Sequence, residues 1–439
     1  MGRRVLVAGT IGNITEWYDF GIYGYLATTI ASHFFPIQVD RSLSILATLA
    51  IFGVSFLARP LGGLVFGSLG DRLGRRTVLA IIVSAMGATT MLIGFLPTYA
   101  AAGILAPLLL TLLRLVQGFC AGGEYTGAAA LLAEYAPPAR RGTWASSTSG
   151  TSLLGFALGA LIVYLLSAAL PAETFQSWGW RIPFLIAGPL ALVGLYLRWR
   201  IEDPPAFRRL EQATTVRRAP VRQALHSYPR LLIIIFVIAA ANCSGIYMLV
   251  GYLPTYMLVT LQLSQGLTLF ASVSALVLGT VLVLFFGSVS DRVGRRPVLL
   301  GGCAGLVILS VPGYLVLAVG TVPTVVLGLV VLVIPWAAVS AAMTIMAVES
   351  LPTSVRYSGS SVAYNSAQAL FGGTAALVGA ALVAITGQSL APAYYATAVP
   401  LVALVLLISL RVPETFHNRM DDGPPVPEHT ENVELDRSL

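Results

Sequence analysis

The sequence predicts an all-α integral membrane protein of twelve transmembrane helices, arranged as two pseudo-symmetric six-helix bundles. Three observations predict it. Hydrophobic residues make up 56% of the 439 positions and charged ones only 10%, against about 25% charged in an ordinary soluble domain. Apolar runs of about 20 residues recur along the chain, each long enough to cross a hydrocarbon core of about 30 Å as a helix. Residues 67–79 return as residues 287–299, with 9 of 13 positions identical at an offset of 220. The chain therefore reads as two copies of one six-span unit, and parallel repeats of this kind place a substrate site at their interface near mid-bilayer.

Taken in order, the runs between charged or Pro-containing breaks fall at 6–34, 43–69, 77–96, 102–134, 143–170 and 182–197. The first starts basic but carries Glu16 and Asp19 and lacks a small-residue cleavage site, so it is read as a span and not as a removed signal peptide. An Arg-rich stretch with Glu202, Asp203, Pro204 and Pro205 then breaks the pattern. The remaining runs are 231–261, 267–289, 298–319, 322–348, 358–386 and 391–410. The domains expected are an N-terminal bundle at 1–197, a cytoplasmic linker at 198–230, a C-terminal bundle at 231–412 and a disordered cytoplasmic tail at 413–439, which is Pro-rich and acidic.

The net charge is +7, and all 26 basic residues are Arg. Of these, 22 fall in segments on the side of the termini, Arg41 and Arg181 fall in loops on the other side, and Arg59 and Arg114 lie within spans. Under the positive-inside rule this orients the chain, multi-pass in a bacterial cytoplasmic membrane, with both termini in the cytoplasm. The basic balance thus speaks of the bilayer and not of nucleic acid. Cys120, Cys243 and Cys303 sit inside apolar runs without a pairing motif and read as small hydrophobes. Without a single Lys the chain has no phosphate-binding loop of its own, and its four histidines, His33, His226, His417 and His429, form no cluster. No enzyme, cofactor, metal site or obligatory protein partner is expected; the partners are the bilayer, a small-molecule substrate and protons.

Charge inside the membrane marks the candidate site. A carboxylate in hydrocarbon costs on the order of 3 kcal/mol or more, so Glu16, Asp19 and Glu124 need partners, water or protonation. Glu16 and Asp19, three apart on one helical face, can form a cluster in which one member binds and releases a proton. The competing reading is that each acid pairs with Arg59 or Arg114 to hold helices together. The second half carries no charged residue at 231–290, 297–348 or 357–410. It offers neutral polar and aromatic groups instead, among them Asn242, Ser244, Tyr247, Tyr252, Tyr256, Trp336, Tyr364, Asn365 and Gln368. Aromatic faces can hold an ammonium group, with Tyr247, Tyr364 and Asn365 the preferred candidates, although a single aromatic here is equally read as core packing or an interfacial belt. Arg59 and Arg114 can take a substrate carboxylate. Three acids against two arginines leave little surplus positive charge, which favours a zwitterion over a dicarboxylate.

The repeated loop Gly-x-x-x-Asp-Arg-x-Gly-Arg-Arg, with Arg114, Gln117 and Gly118 in the fourth span, resembles the signatures of the major facilitator superfamily. Glu16-Trp17-Tyr18-Asp19-Phe20, Arg59-Pro60-Leu61-Gly62-Gly63, residues 122–127 and residues 179–184 resemble its metabolite:proton symporter family, and residues 124–128 and 239–256 are similar to proline and glycine betaine osmolyte symporters. The resemblance covers about residues 7–413. It implies spans one and four on opposite walls of a central cavity, Glu16, Asp19 and Glu124 in proton coupling, and Arg59, Arg114, Trp17, Tyr23, Asn242, Tyr247, Tyr364 and Asn365 around the substrate. It further implies a cytoplasmic latch of Asp71, Arg72, Arg75, Glu134, Arg140 and Arg141 in the first half with Asp291, Arg295, Glu349 and Arg356 in the second, broken and remade in alternating access. The expected function is proton-driven uptake of a zwitterionic osmolyte. Relatives that carry α-ketoglutarate, citrate or shikimate share most of these motifs, and a substrate sensor on the same scaffold is the alternative of another class. The tail has Pro424, Pro425 and Pro427 and no sustained heptad, unlike the coiled-coil tails of osmosensing relatives.

Overall fold

The computed structural model describes residues 2–36, 40–73, 75–122, 129, 132–133, 136–199, 220–416 and 418. Spanning helices are numbered here α1 to α12. In the first half, α1 is Gly2–Tyr25 continued by Ala27–Phe34, α2 is Arg41–Leu57 continued by Arg59–Leu73, α3 is Arg75–Phe95, α4 is Leu105–Ala121, α5 is Arg141–Ala169 and α6 is Ile182–Trp199. In the second, α7 runs from Pro229 to Thr260, α8 is Gln265–Val293, α9 is Arg295–Ala318, α10 is Val322–Glu349, α11 runs from Thr353 to Thr386 and α12 is Ala391–Ser409. Nine helices among the described residues are long and apolar enough to cross a membrane, with Ala80–Phe95 and Leu105–Ala121 as shorter apolar helices.

Local chemistry sets the helix starts. The Asp40 side chain accepts from the N–H groups of Ser42 and Leu43, Ser264 accepts from Leu267, and Thr321 with Thr324 forms a capping box, each satisfying donors that a helix start leaves open. Between α8 and α9 the chain turns at Gly294, whose φ of 97° suits only glycine. Two long spans are interrupted inside their apolar runs: α1 between Tyr25 and Ala27, and α2 at Ala58, just before Arg59 and Pro60. Pro60 removes one backbone donor there. α7 widens into π-helical turns at Met248–Tyr252 and Tyr256–Thr260, and α11 does so at Gln368–Gly372. Such turns collect at functional sites.

The packing repeats with the sequence. α1 packs on α5 and α6, α2 on α4, and α3 on α4 and α6; α7 packs on α11 and α12, α8 on α10, and α9 on α10 and α12. Between the halves α5 meets α8 and α2 meets α11, the same relation viewed from either half, while α1 meets α7. The seam between two pseudo-symmetric bundles is thus built from α1, α2, α5, α7, α8 and α11, with α10 also on α5.

Small residues let these helices touch backbone to backbone, the packing mode favoured where lipid competes with side chains. A Cβ at Gly118 of α4 would overlap the carbonyl of Ser55, and one at Gly62 of α2 the carbonyl of Phe119. Gly118→Val is therefore expected to lower the thermal unfolding midpoint of purified protein in detergent, by the 1–3 kcal/mol or about that much typical of overpacking, with Gly118→Ala in between. An unchanged midpoint for both would show that α2 and α4 do not cross this closely.

Candidate functional site

The middle of the first half holds a buried charged cluster. Arg59, where α2 resumes, is 0% exposed, and its Nη2 donates to Glu16 Oε1 of α1 at 3.0 Å. Arg114 of α4 is equally buried. Its Nη1 donates to Gln117 Oε1 at 2.9 Å, one helical turn on, and Gln117 Nε2 donates to Thr90 Oγ1 of α3 at 2.5 Å. The Thr90 hydroxyl donates in turn to Asp19 Oδ2 at 2.7 Å. Glu16 and Asp19 share a helix face yet have separate partners, an arginine for one and a hydroxyl-amide chain for the other. The expectation that the acids pair with arginines fits Glu16 and not Asp19, which reaches Arg114 only through two neutral side chains.

Aromatic rings enclose both guanidiniums. Arg59 lies 5.0 Å from the centroid of Phe20, 5.3 Å from Phe56 and 5.4 Å from Trp17; Arg114 lies 4.1 Å from Tyr23, 5.2 Å from Phe20 and 5.3 Å from Phe52. Both flank one ring, Phe20, so they are no more than about 10 Å apart. Cation–π contact is worth most where water is excluded. Neither guanidinium is saturated: Nε and Nη1 of Arg59 and Nε and Nη2 of Arg114 are buried and have no hydrogen-bond partner among the described residues, and nor has Asp19 Oδ1. Buried polar atoms without partners are rare in folded chains and need an explanation.

The second half faces this cluster with neutral groups. Tyr247 of α7 sets its ring 4.7 Å from Phe56 and 6.1 Å from Phe52, edge-on to both. Its hydroxyl accepts from Gln368 Nε2 at 2.8 Å, and Tyr364 accepts from the same nitrogen at 3.3 Å. Asn365 Nδ2 donates across the seam to the Gly122 carbonyl at 2.9 Å and to Ser361 of its own helix. Asn242 gives its main-chain carbonyl to Trp336 Nε1, while its side-chain oxygen has no partner among the described residues. Trp17 is tied down through its indole N–H to Asn13, and the Tyr23 hydroxyl donates to the Thr48 carbonyl.

At the arginine-rich end Asp291 of α8 bridges the halves. It accepts from the N–H groups of Gly142 and Thr143 and from the Thr143 hydroxyl at 2.7–2.8 Å, capping α5 from the opposite bundle, and pairs with Arg295 Nη1 at 2.7 Å. A carboxylate at a helix N-terminus is favoured by the open donors and by the helix dipole. Arg295, 0% exposed, also meets Glu349 at 3.3 Å through Nε and Nη2. Arg356 Nε donates to the Leu351 carbonyl, Arg141 Nη1 to the Asn418 carbonyl, and Arg140 is exposed. Glu124 and Glu134 lie outside the described residues, as do the side chains of Asp71, Arg72 and Arg75.

The described residues just past α12 sit on the latch: Glu414 accepts from the N–H groups of Arg295 and Arg296, Thr415 donates to Glu349, and Asn418 donates to the Glu349 carbonyl. The first residues after α12 are seated because α9 starts with free N–H groups that a carboxylate can cap.

Contacts across the seam lie on both sides of the charged cluster. Toward the arginine-rich end Ser149 bonds Thr344 and the Thr280 hydroxyl reaches the Gly150 carbonyl; toward the other end Gly53 abuts Gly373 and Gly24 abuts the carbonyl of Val250.

Thr90 and the rings of Phe20, Phe52 and Phe56 were not singled out for the site by sequence reasoning, and Gln117 and Gln368 were named there only as a motif residue and as one of several neutral polar groups. Gln117 had a signal, its place three residues after an intramembrane Arg; Thr90 and the phenylalanines had none.

Comparisons with known proteins bear on the family and the fold. The sequence profile of the Major Facilitator Superfamily matches residues 11–376. A proline/betaine transporter of Salmonella typhimurium is 36% identical over 461 residues, covering 98% of this chain and 90% of that one. An ectoine/proline transporter, ProP, of Corynebacterium glutamicum is 40% identical over 409 residues, covering 89% and 81%. Among solved structures, the proton:xylose symporter XylE bound to 6-bromo-6-deoxy-D-glucose superimposes with a TM-score of 0.77 at 17% identity, covering 95% of this chain and 97% of that one. That likeness concerns the fold alone.

Proposed function

The chain belongs to the Major Facilitator Superfamily, and on that premise we propose that it takes up a small zwitterion of the proline, glycine betaine or ectoine kind together with protons. It is a membrane transporter and not an enzyme. The relatives named above are called transporters of proline, betaine or ectoine, and each of those molecules joins a carboxylate to a positively charged nitrogen. The observation that carries the reading is the set of guanidinium N–H groups on Arg59 and Arg114 that have no partner among the described residues, inside an aromatic enclosure. A carboxylate accepts two such donors side by side, and the ring faces suit the cationic end. Glu16 already balances Arg59, and Asp19 is linked to Arg114 through Thr90 and Gln117, so little net charge is left for a second carboxylate.

In this reading Asp19 carries the proton, with Glu16 and Glu124 as further acids of the path. When Asp19 is protonated, the charge on Arg114 is left to the substrate; when it is ionised, the Thr90–Gln117 chain draws the arginine toward it. Binding is then favoured from the acidic side and release from the other. The latch of Asp291, Arg295 and Glu349, with the tail residues upon it, holds one end shut until bundles 1–197 and 231–412 rock past each other. We place that end and both termini in the cytoplasm of a cell with a single or inner membrane, because 22 of 26 arginines lie on that side.

Uptake of labelled proline into proteoliposomes, challenged with glycine betaine, α-ketoglutarate, citrate and shikimate, tests the substrate class; competition by dicarboxylates alone would end the zwitterion reading. Asp19→Asn is expected to abolish accumulation driven by a proton gradient while substrate exchange between equal pools persists, with KM for exchange no longer rising as pH is raised. Accumulation that survives the substitution would remove Asp19 from the coupling step. Ligand binding by the wild-type chain without accumulation would identify a sensor.

A further inference from the structure

We propose that Gln368 is the residue that distinguishes zwitterions bearing N–H groups from those with a quaternary nitrogen. The inference rests on the zwitterion reading above and adds to it a subsite for the nitrogen.

Gln368 opens the π-helical turn of α11 and is 1% exposed. Its amide nitrogen is fully used, donating to Tyr247 and Tyr364. Its carbonyl Oε1 is buried and has no hydrogen-bond partner among the described residues. A buried acceptor left open costs free energy in every state of the protein that keeps it so, and an unsatisfied group held beside a charged site points to a donor from outside the chain. Two tyrosine hydroxyls fix the amide so that its oxygen is the end left over.

The position relative to the charge is suitable. Tyr247, which Gln368 holds, packs edge-on against Phe52 and Phe56, the rings that carry the guanidiniums of Arg114 and Arg59 on their faces. Both arginines are within electrostatic range of Tyr247. A zwitterion whose carboxylate lies on the arginine forks therefore has its nitrogen directed to the neutral half, where no charged residue occurs at 231–290, 297–348 or 357–410.

Chemistry decides what an amide carbonyl there selects. A secondary ammonium such as that of proline has two N–H donors, and the amidine of ectoine also has N–H donors. A trimethylammonium has none, so it can use ring faces but leaves Oε1 open. Sites built to bond an N–H discriminate strongly against ligands that lack it, because the buried acceptor then stays unpaired. The widened α11 turn begins at this residue: the Gly373 N–H donates to the Gln368 main-chain carbonyl at 2.9 Å.

The test compares two labelled substrates, proline and glycine betaine, in proteoliposomes holding wild type, Gln368→Met or Gln368→Glu. Methionine keeps the volume without the acceptor and glutamate keeps the acceptor. Both substrates will lose some affinity to Gln368→Met through the tyrosine hydroxyls it releases. The ratio of proline to betaine kcat/KM is expected to fall roughly ten- to hundredfold, the range for a hydrogen bond to a charged group, and to return toward the wild-type value in Gln368→Glu. An unchanged ratio in Gln368→Met, or a fall of equal size in both variants, would overturn the inference while leaving the transport reading intact. Wild type that accumulates neither substrate would instead remove the zwitterion reading and this one with it. Should Gln368→Met fail to fold, the Gln368→Leu ratio is read in its place.

Discussion

Replacing Arg114 with Met is expected to lower kcat/KM for zwitterion uptake by about a hundredfold or more, the loss of two charge-assisted hydrogen bonds at roughly 1.5–3 kcal/mol each. The two donors in question are Nε and Nη2, on adjacent edges of one planar group and unpartnered among the described residues. Nη1 is engaged by Gln117 and the face of the group by Tyr23, so the fork is held in one orientation before any ligand arrives. Such fixing reduces the entropy lost on binding. Arg114→Lys separates charge from shape: an ammonium retains the attraction but neither the paired donors nor the stacking. It should fall between wild type and Arg114→Met. Uptake kinetics in proteoliposomes check both, with the thermal midpoint reporting whether the bundle remains folded. If Arg114→Met transports at near wild-type efficiency, the carboxylate binds elsewhere and the open donors have another explanation.

The parts of the molecule that could be read beforehand are those set by the solvent. Hydrocarbon demands long apolar helices, so the spans were visible as runs, and the bilayer makes isolated charge expensive, so Arg59, Arg114, Glu16 and Asp19 stood out one residue at a time. What hydrocarbon does not penalise stayed hidden. Thr90 and Gln117 are ordinary residues within helices, and their importance lies in a contact between α3 and α1 spanning 71 positions and another between α4 and α3 spanning 27. No periodicity encodes that. Gln368 was visible as a polar residue among several, but only its bonds to two tyrosines single out its oxygen. The seating of Glu414 depended on where α9 begins, a boundary that charged loops leave loosely defined. Breaks within α1, α7 and α11 likewise follow from helix packing more than from composition; Gly251, Pro254, Gly372 and Gly373 near them are signals that the apolar runs concealed.

Glu16→Gln is expected to destabilise the bundle by about 3–5 kcal/mol, the usual result of leaving one member of a buried ion pair uncompensated. Arg59 would remain enclosed by Phe20, Phe56 and Trp17 with no carboxylate at 3.0 Å. A ring face attracts a guanidinium but does not replace its counter-ion. The double variant Glu16→Gln, Arg59→Met removes the stranded charge and is expected to regain most of that stability, since buried pairs replaced by apolar groups of similar volume are often neutral. Transport separates two roles that stability alone does not. If the pair only fastens α1 to α2, uptake should return with the fold. Our expectation is that it does not return, because Arg59 holds two further N–H positions, Nε and Nη1, without a partner among the described residues, in the same enclosure as Arg114 across Phe20. Thermal unfolding in detergent and proteoliposome uptake, measured on both single variants and the double, close the cycle. Full recovery of both properties in the double variant would reduce Glu16 and Arg59 to a fastening and leave Asp19 and Arg114 as the working pair.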